Sequence, residues 1–184
     1  MNDPARYTST AVFLHWLVFV LIAAGAGLAF YMTDLPFSPL KLKYYSWHKW
    51  IGVSIFIAVV VRLAWRLRHP APPLPAGTPA WQLRAAHGAH LMLYLLLVLI
   101  PLSGWLYSSA AGVQTVYFSL VPLPDLLARD KALAETLKAL HGILNYTLFA
   151  LVTLHAGAAL KHHFIDRDGV LARMLPFAKL RRTQ

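Results

Sequence analysis

The chain has no cysteine, which removes disulfides, thiolate-held iron–sulfur clusters and covalently attached c-type haem at one stroke. A metal cofactor would have to hang on histidine, carboxylate or methionine. Acidic residues are scarce as well: seven Asp and Glu face 17 Lys and Arg in 184 residues, a net charge of +10. In a soluble protein that balance would suggest nucleic acid. Here the basic residues flank apolar segments instead of interleaving with aromatics, so no nucleic-acid partner is expected. Charged residues make up 13% of the chain and hydrophobic ones 58%, too apolar for a soluble domain of this length. The N-terminus lacks the charged, apolar and small-residue series of a cleaved signal, so the first apolar segment is expected to direct insertion. No repeat or low-complexity tract interrupts the pattern.

What the sequence does contain is long hydrophobic runs. The first covers about residues 8–32, with Thr8 or Ser9 as cap and the Asp34 to Pro39 stretch as its end. The second, about 45–68, closes at Arg66, Arg68 and a proline-rich loop from Pro70 to Pro79 that excludes a helix. The third, about 80–108, contains Pro101, which should kink it. A connection follows with a short aromatic piece, Val116 to Leu120, expected at the membrane interface, then a fourth run, about 132–163, and a basic tail, 164–184. The expected fold class is all-α: one domain, 1–184, an integral membrane four-helix bundle.

Four spans leave both termini on one side. Arg6, Arg62, Arg66, Arg68, Arg84, Lys161, Arg167, Arg173, Lys179, Arg181 and Arg182 belong to that side; Lys41, Lys43, Lys49, Arg129, Lys131 and Lys138 belong to the other. The excess predicts cytoplasmic termini.

His141 and His155 lie fourteen positions apart in the fourth run. Fourteen helical residues return to within about 40° of the starting face and advance about 21 Å. One helix thus points two imidazoles the same way at different depths of a hydrocarbon layer about 30 Å thick. Depth assigns their partners. His15 lies about two turns into the first helix and His155 about two turns before the end of the fourth, so they share the cytoplasmic level. His48 and His141 open helices that enter from the outer side, so they share the outer level. The two cross-helix pairs suggest two bis-imidazole sites inside the bundle. With no cysteine or carboxylate in the set, haem b is favoured over zinc, which asks for a tetrahedron of ligands. The competing use of a buried histidine is a plain hydrogen bond to a neighbouring helix; for four that match in depth, two enclosed haem b groups are the expectation.

Other residues keep two readings. His90 also lies near the inner level and competes with His15 or His155; with His87 it is placed beside the ligands or facing a quinone. Arg62, fourteen residues after His48, either snorkels to the headgroups or supplies a counter-charge to an inner haem propionate or a quinone. Gly52, Gly104 and Gly142 near the outer level, with Gly25 and Gly157 elsewhere, make room for a flat macrocycle or serve ordinary helix packing. Trp16, Trp47, Trp50, Trp65, Trp81 and Trp105 read mostly as an interfacial belt.

The ordered set Leu14-His15-Trp16-Leu17-Val18, His48 with Gly52, Val61-Arg62-Leu63 through Arg66-Leu67, Ala86-His87 with His90, His141, His155, His162-His163-Phe164 and Arg173-Met174-Leu175-Pro176 resembles the bacterial cytochrome b561 family over nearly the whole chain. Those small four-helix dihaem proteins are related to membrane subunits of nickel–iron hydrogenases and formate dehydrogenases. The resemblance implies two haem b groups held at His15, His48, His141 and His155, and electron transfer to or from quinone in the bacterial inner membrane. For stand-alone members, which this short chain looks like, it implies a superoxide oxidase passing electrons to ubiquinone. The alternative is an electron-transfer subunit for a periplasmic dehydrogenase or hydrogenase. Lys49 and Lys138, close in sequence to the outer histidines, are the candidate catalytic residues: a basic rim would concentrate a small anion such as superoxide. It would equally suit an acidic periplasmic redox protein, or be ordinary interfacial anchoring.

Overall fold

A computed structural model describes residues 6–73, 75 and 77–175; Pro176, Lys179, Arg181 and Arg182 of the sequence reading lie outside the described residues. Four helices dominate: α1 Ser9–Asp34, α2 Pro39–Arg68, α3 Ala80–Ala110 and α4 Lys131–Lys161. Each is long and apolar enough to cross a bilayer, and side chains such as Phe13, Phe19, Phe30 and Leu154 point outward unburied. Such exposure would be costly in water and costs nothing against lipid. The chain is a multi-pass membrane protein. The side where α1 begins and α4 ends is called inner below, and the opposite side outer.

Local chemistry sets the helix ends. Thr8 Oγ1 accepts from the Ala11 amide at 3.2 Å and Asp130 from the Leu133 amide at 3.0 Å, satisfying first-turn donors. The expected start of the second helix near Tyr45 is corrected: α2 begins at Pro39, capped by Ser38 Oγ on the Lys41 amide at 3.2 Å. Proline suits a first-turn position because its missing N–H would be unpaired there anyway. Lys41, inside that extra turn, donates to the carbonyls of Thr33 and Leu35 at 3.2 and 2.6 Å, closing the outer end of α1.

The aromatic connection forms a small ribbon, β1 Val116–Tyr117 against antiparallel β2 Val121–Pro122. Its turn residues Phe118 and Ser119 have φ of 48° and 59°, a left-handed pair that costs about 1–2 kcal/mol per non-glycine residue. Anchors on α2 offset it: Trp50 Nε1 donates to Val116 O at 2.7 Å, Tyr117 Oη lies 2.9 Å from Ser54 Oγ, and Phe118 packs on Trp50. Four of the six tryptophans donate to loop or cap atoms, Trp16 to Met174 O, Trp50 to Val116 O, Trp65 to Thr8 Oγ1 and Trp105 to Pro124 O, so they clasp connections as well as marking the interface.

Val18, Ala58, Val59, Leu96, Leu97 and Leu148 form a buried layer at mid-depth with one or more residues from every helix. Leu148 sits seven residues from both His141 and His155, on nearly the same helix face. Backbone packing is uneven. α1 lies against α2, α2 against α3 and α3 against α4, whereas α4 stands off from α1 and α2.

Candidate functional site: two histidine pairs across the bundle

The helices that stand apart carry the paired histidines. At the outer level the rings of His48 on α2 and His141 on α4 have centroids 6.3 Å apart and nearly perpendicular planes, at 86°. At the inner level His15 on α1 and His155 on α4 are also 6.3 Å apart, tilted by 60°. A metal–nitrogen bond of about 2 Å on each side, plus the distance from nitrogen to ring centre, requires centroids a little over 6 Å apart. Both spacings fit one metal between two imidazoles, and the stand-off of α4 fits a flat ring around it. The open space beside Gly52 and Gly142, where an added Cβ would meet nothing within 4 Å, agrees with that fit. A haem b is therefore compatible with the residues at each level.

The outer rings are held by their Nδ1 atoms. His48 Nδ1 lies 3.1 Å from Gly25 O, and His141 Nδ1 lies 3.1 Å from Ile100 O and 3.0 Å from Ser103 Oγ. A carbonyl can only accept, so each Nδ1 carries the proton and Nε2 keeps its lone pair for a metal. Ser103 completes the set by donating its hydroxyl to Ile100 O at 2.8 Å. Two glycines bring these parts close: a Cβ on Gly25 would stand 3.2 Å from Ile51 Cγ2, and one on Gly104 3.1 Å from His141 Cε1. Ser103 and the carbonyls of Gly25 and Ile100 were not singled out from sequence. The nearest signal for them is the cluster of Pro101, Ser103 and Gly104 in one turn.

The inner pair is held differently. Arg62 Nη2 donates to His15 Nδ1 at 3.0 Å, so a neutral His15 ring in this arrangement carries its proton on Nε2, and metal binding at Nε2 requires that proton to leave or this contact to open. The guanidinium also lies 5.4 Å from the Tyr94 ring centre, a cation–π distance. No hydrogen bond to the His155 ring occurs among the described residues. His90 approaches His155 with centroids 5.4 Å apart in a T-shaped contact, less room than two imidazoles need around a metal. His87 is exposed and bonds back to its own helix, Nδ1 to Leu83 O at 2.7 Å. The structure thus brings Arg62 and His90 into the inner cluster and leaves His87 on the surface.

The two basic candidates also separate. Lys49 is half-buried and donates to Val113 O at 3.0 Å, with Asp125 the acidic group near enough to act on its charge. Lys138 is exposed and pairs with Glu135 at 3.9 Å. Of the histidines at the inner boundary, His69 stacks on Trp65. His162 pairs with Asp166 and Asp168 in a π-turn that continues α4 from His162 to Asp166.

Comparison with known proteins adds a lineage. The family described as Prokaryotic cytochrome b561 matches residues 6–177. Cytochrome b561 homolog 2 of Escherichia coli (strain K12) is 37% identical over 182 residues, covering 95% of this chain and 93% of that protein. A probable superoxide oxidase, CybB, of Yersinia pestis is 31% identical over 176 residues, covering 93% and 96%. Cytochrome b561 homolog 1 of Escherichia coli (strain K12) is 29% identical over 177 residues, covering 95% and 99%.

Proposed function

The chain belongs to the prokaryotic cytochrome b561 family of membrane electron carriers, and from that premise we propose that it is a superoxide:ubiquinone oxidoreductase of the bacterial inner membrane with cytoplasmic termini. The observation that carries the reading is the pair of equally spaced histidine couples at two depths of one bundle. The similarity to the probable superoxide oxidase of Yersinia pestis supports the substrate. His48 and His141 hold an outer haem b, and His15 and His155 an inner one. Each bound haem supplies an iron that takes up and releases one electron.

The chain's own groups do the rest. Gly25 O, Ile100 O and Ser103 fix the outer rings so that Nε2 faces the metal position. Lys49, whose direct hydrogen bond is to a neutral carbonyl, draws the anion to the outer face; Lys138, in a direct ion pair with Glu135, contributes less. The mid-depth layer around Val59 and Leu148 keeps water and ions from passing between the levels. Arg62 places a positive charge beside His15 at the electron-accepting end, and His90 stands next to the inner pair, where a quinone would approach. In the net conversion two superoxide anions each lose one electron and leave as dioxygen, while ubiquinone takes both electrons and two protons from the inner side to give ubiquinol.

Stopped-flow mixing of the purified haem-loaded protein with superoxide tests this. Reduction of the b-type absorption without any protein partner is expected. A protein inert to superoxide but reduced by a periplasmic dehydrogenase or hydrogenase would replace the reading with that of an electron-transfer subunit.

A further inference from the structure

At the inner boundary, where α2 ends and the proline-rich loop begins, a groove of about 400 Å³ is lined by Leu63, Arg66, Leu67, Pro70, Ala71 and Tyr94. Its walls are apolar apart from the Tyr94 hydroxyl and one cation. Arg66 also lines a smaller cavity behind the groove with Arg62, Trp65 and His69, and neither space is lined by a carboxylate.

Arg66 is half-buried and makes no hydrogen bond or ion pair among the described residues. The charged or titratable groups around it are the guanidinium of Arg62, the imidazoles of His69 and His90 and the phenols of Tyr7 and Tyr94. Elsewhere on this side, Asp166 and Asp168 are taken by Lys161 and His162. A guanidinium at a membrane boundary with only cationic or neutral neighbours is expensive unless an anion comes from outside the chain. We propose that the groove binds an anionic phospholipid of the inner-side leaflet, its phosphate on Arg66 and its first acyl carbons along Leu63 and Leu67. Basic pockets between transmembrane helices on the cytoplasmic side take lipid headgroups in this way, and Arg suits phosphate because its planar fork binds two oxygens at once. A neutral quinone carbonyl would leave the charge of Arg66 unbalanced.

The test is native mass spectrometry of the haem-loaded full chain released from nanodiscs of phosphatidylcholine with or without phosphatidylglycerol. The parent should retain phosphatidylglycerol in preference to phosphatidylcholine. Arg66→Gln should weaken that retention about fivefold, the weight of one arginine near a charged leaflet, while Arg68→Gln, an exposed neighbour outside the groove, should leave it unchanged. Leu63→Trp, which fills the groove and keeps the charge, should also weaken it, so the proposal stays testable if Arg66→Gln fails to assemble. Equal retention of both lipids by the parent would overturn the proposal, as would equal losses in Arg66→Gln and Arg68→Gln. Displacement of the lipid by inorganic phosphate alone would show a free-anion site instead. Loss of haem or a shifted haem spectrum in Arg66→Gln with lipid retention intact would assign the arginine to a haem propionate. None of these readouts depends on superoxide or quinone activity.

Discussion

The outer and inner histidine pairs have the same ring spacing and opposite surroundings. Outside, Nδ1 of both His48 and His141 meets backbone carbonyls. Carbonyl acceptors make imidazole a stronger donor to a metal and favour its more positive, oxidised state. Inside, His15 meets the guanidinium of Arg62, whose charge favours the added electron. The difference teaches that one repeated spacing can set a direction: with a haem at each pair, as proposed, the outer site would give up an electron and the inner one receive it, the order a superoxide-to-quinone path requires.

The most severe way to break the comparison is to remove a ring. His48→Ala or His141→Ala should leave the protein with one haem instead of two and only the inner spectrum, and His15→Ala or His155→Ala the reverse, read as haem per protein. Full haem content in His15→Ala, or loss of a haem in His90→Ala, would hand the inner ligand role to His90.

A milder change sharpens the contrast. Arg62→Gln should lower the potential of the inner haem by roughly 60 mV, the equivalent of a tenfold bias in a one-electron step, and leave the outer potential in place. Arg62→Lys should recover part of the shift by keeping the charge. Redox titration followed optically reads both, and equal shifts at the two haems would remove the asymmetry.

The smallest expected effect lies at the outer rim. Lys49→Gln should slow reduction by superoxide about threefold and flatten its salt dependence, because the Debye length shrinks from about 30 Å at 0.01 M to about 10 Å at 0.1 M. Lys138→Gln should do less, since Glu135 already offsets that charge. Rates that are equal and insensitive to salt in parent and variants would reduce both lysines to anchors.

The four spans and the depth of each histidine were legible in the sequence, because the bilayer fixes how many apolar residues a span needs and the helical repeat fixes which of them share a face. The true start of α2 was not: Ser38 and Pro39 form a cap whose value is local and lies outside the apolar period. Partner identity within a level divided the same way. Depth alone left His15 and His90 both available to His155, and three-dimensional spacing distinguishes them, 6.3 Å against 5.4 Å.

By itself the sequence determined membrane insertion, four helices, two histidine levels and a cofactor chemistry limited by the lack of cysteine, all of which follow from composition and one-dimensional spacing. Only the tertiary structure decided that α4 stands off from α1 and α2, that Gly25, Ile100 and Ser103 hold the outer rings while Arg62 faces the inner one, and that Lys49 bonds the Val113 carbonyl while Lys138 pairs directly with Glu135. Those are contacts between atoms 23 to 64 residues apart, except for the Glu135 pair, where rotamer and exposure decide. A repeat of 3.6 residues orients a side chain on its own helix but cannot say which neighbouring helix, carbonyl or charge it will meet.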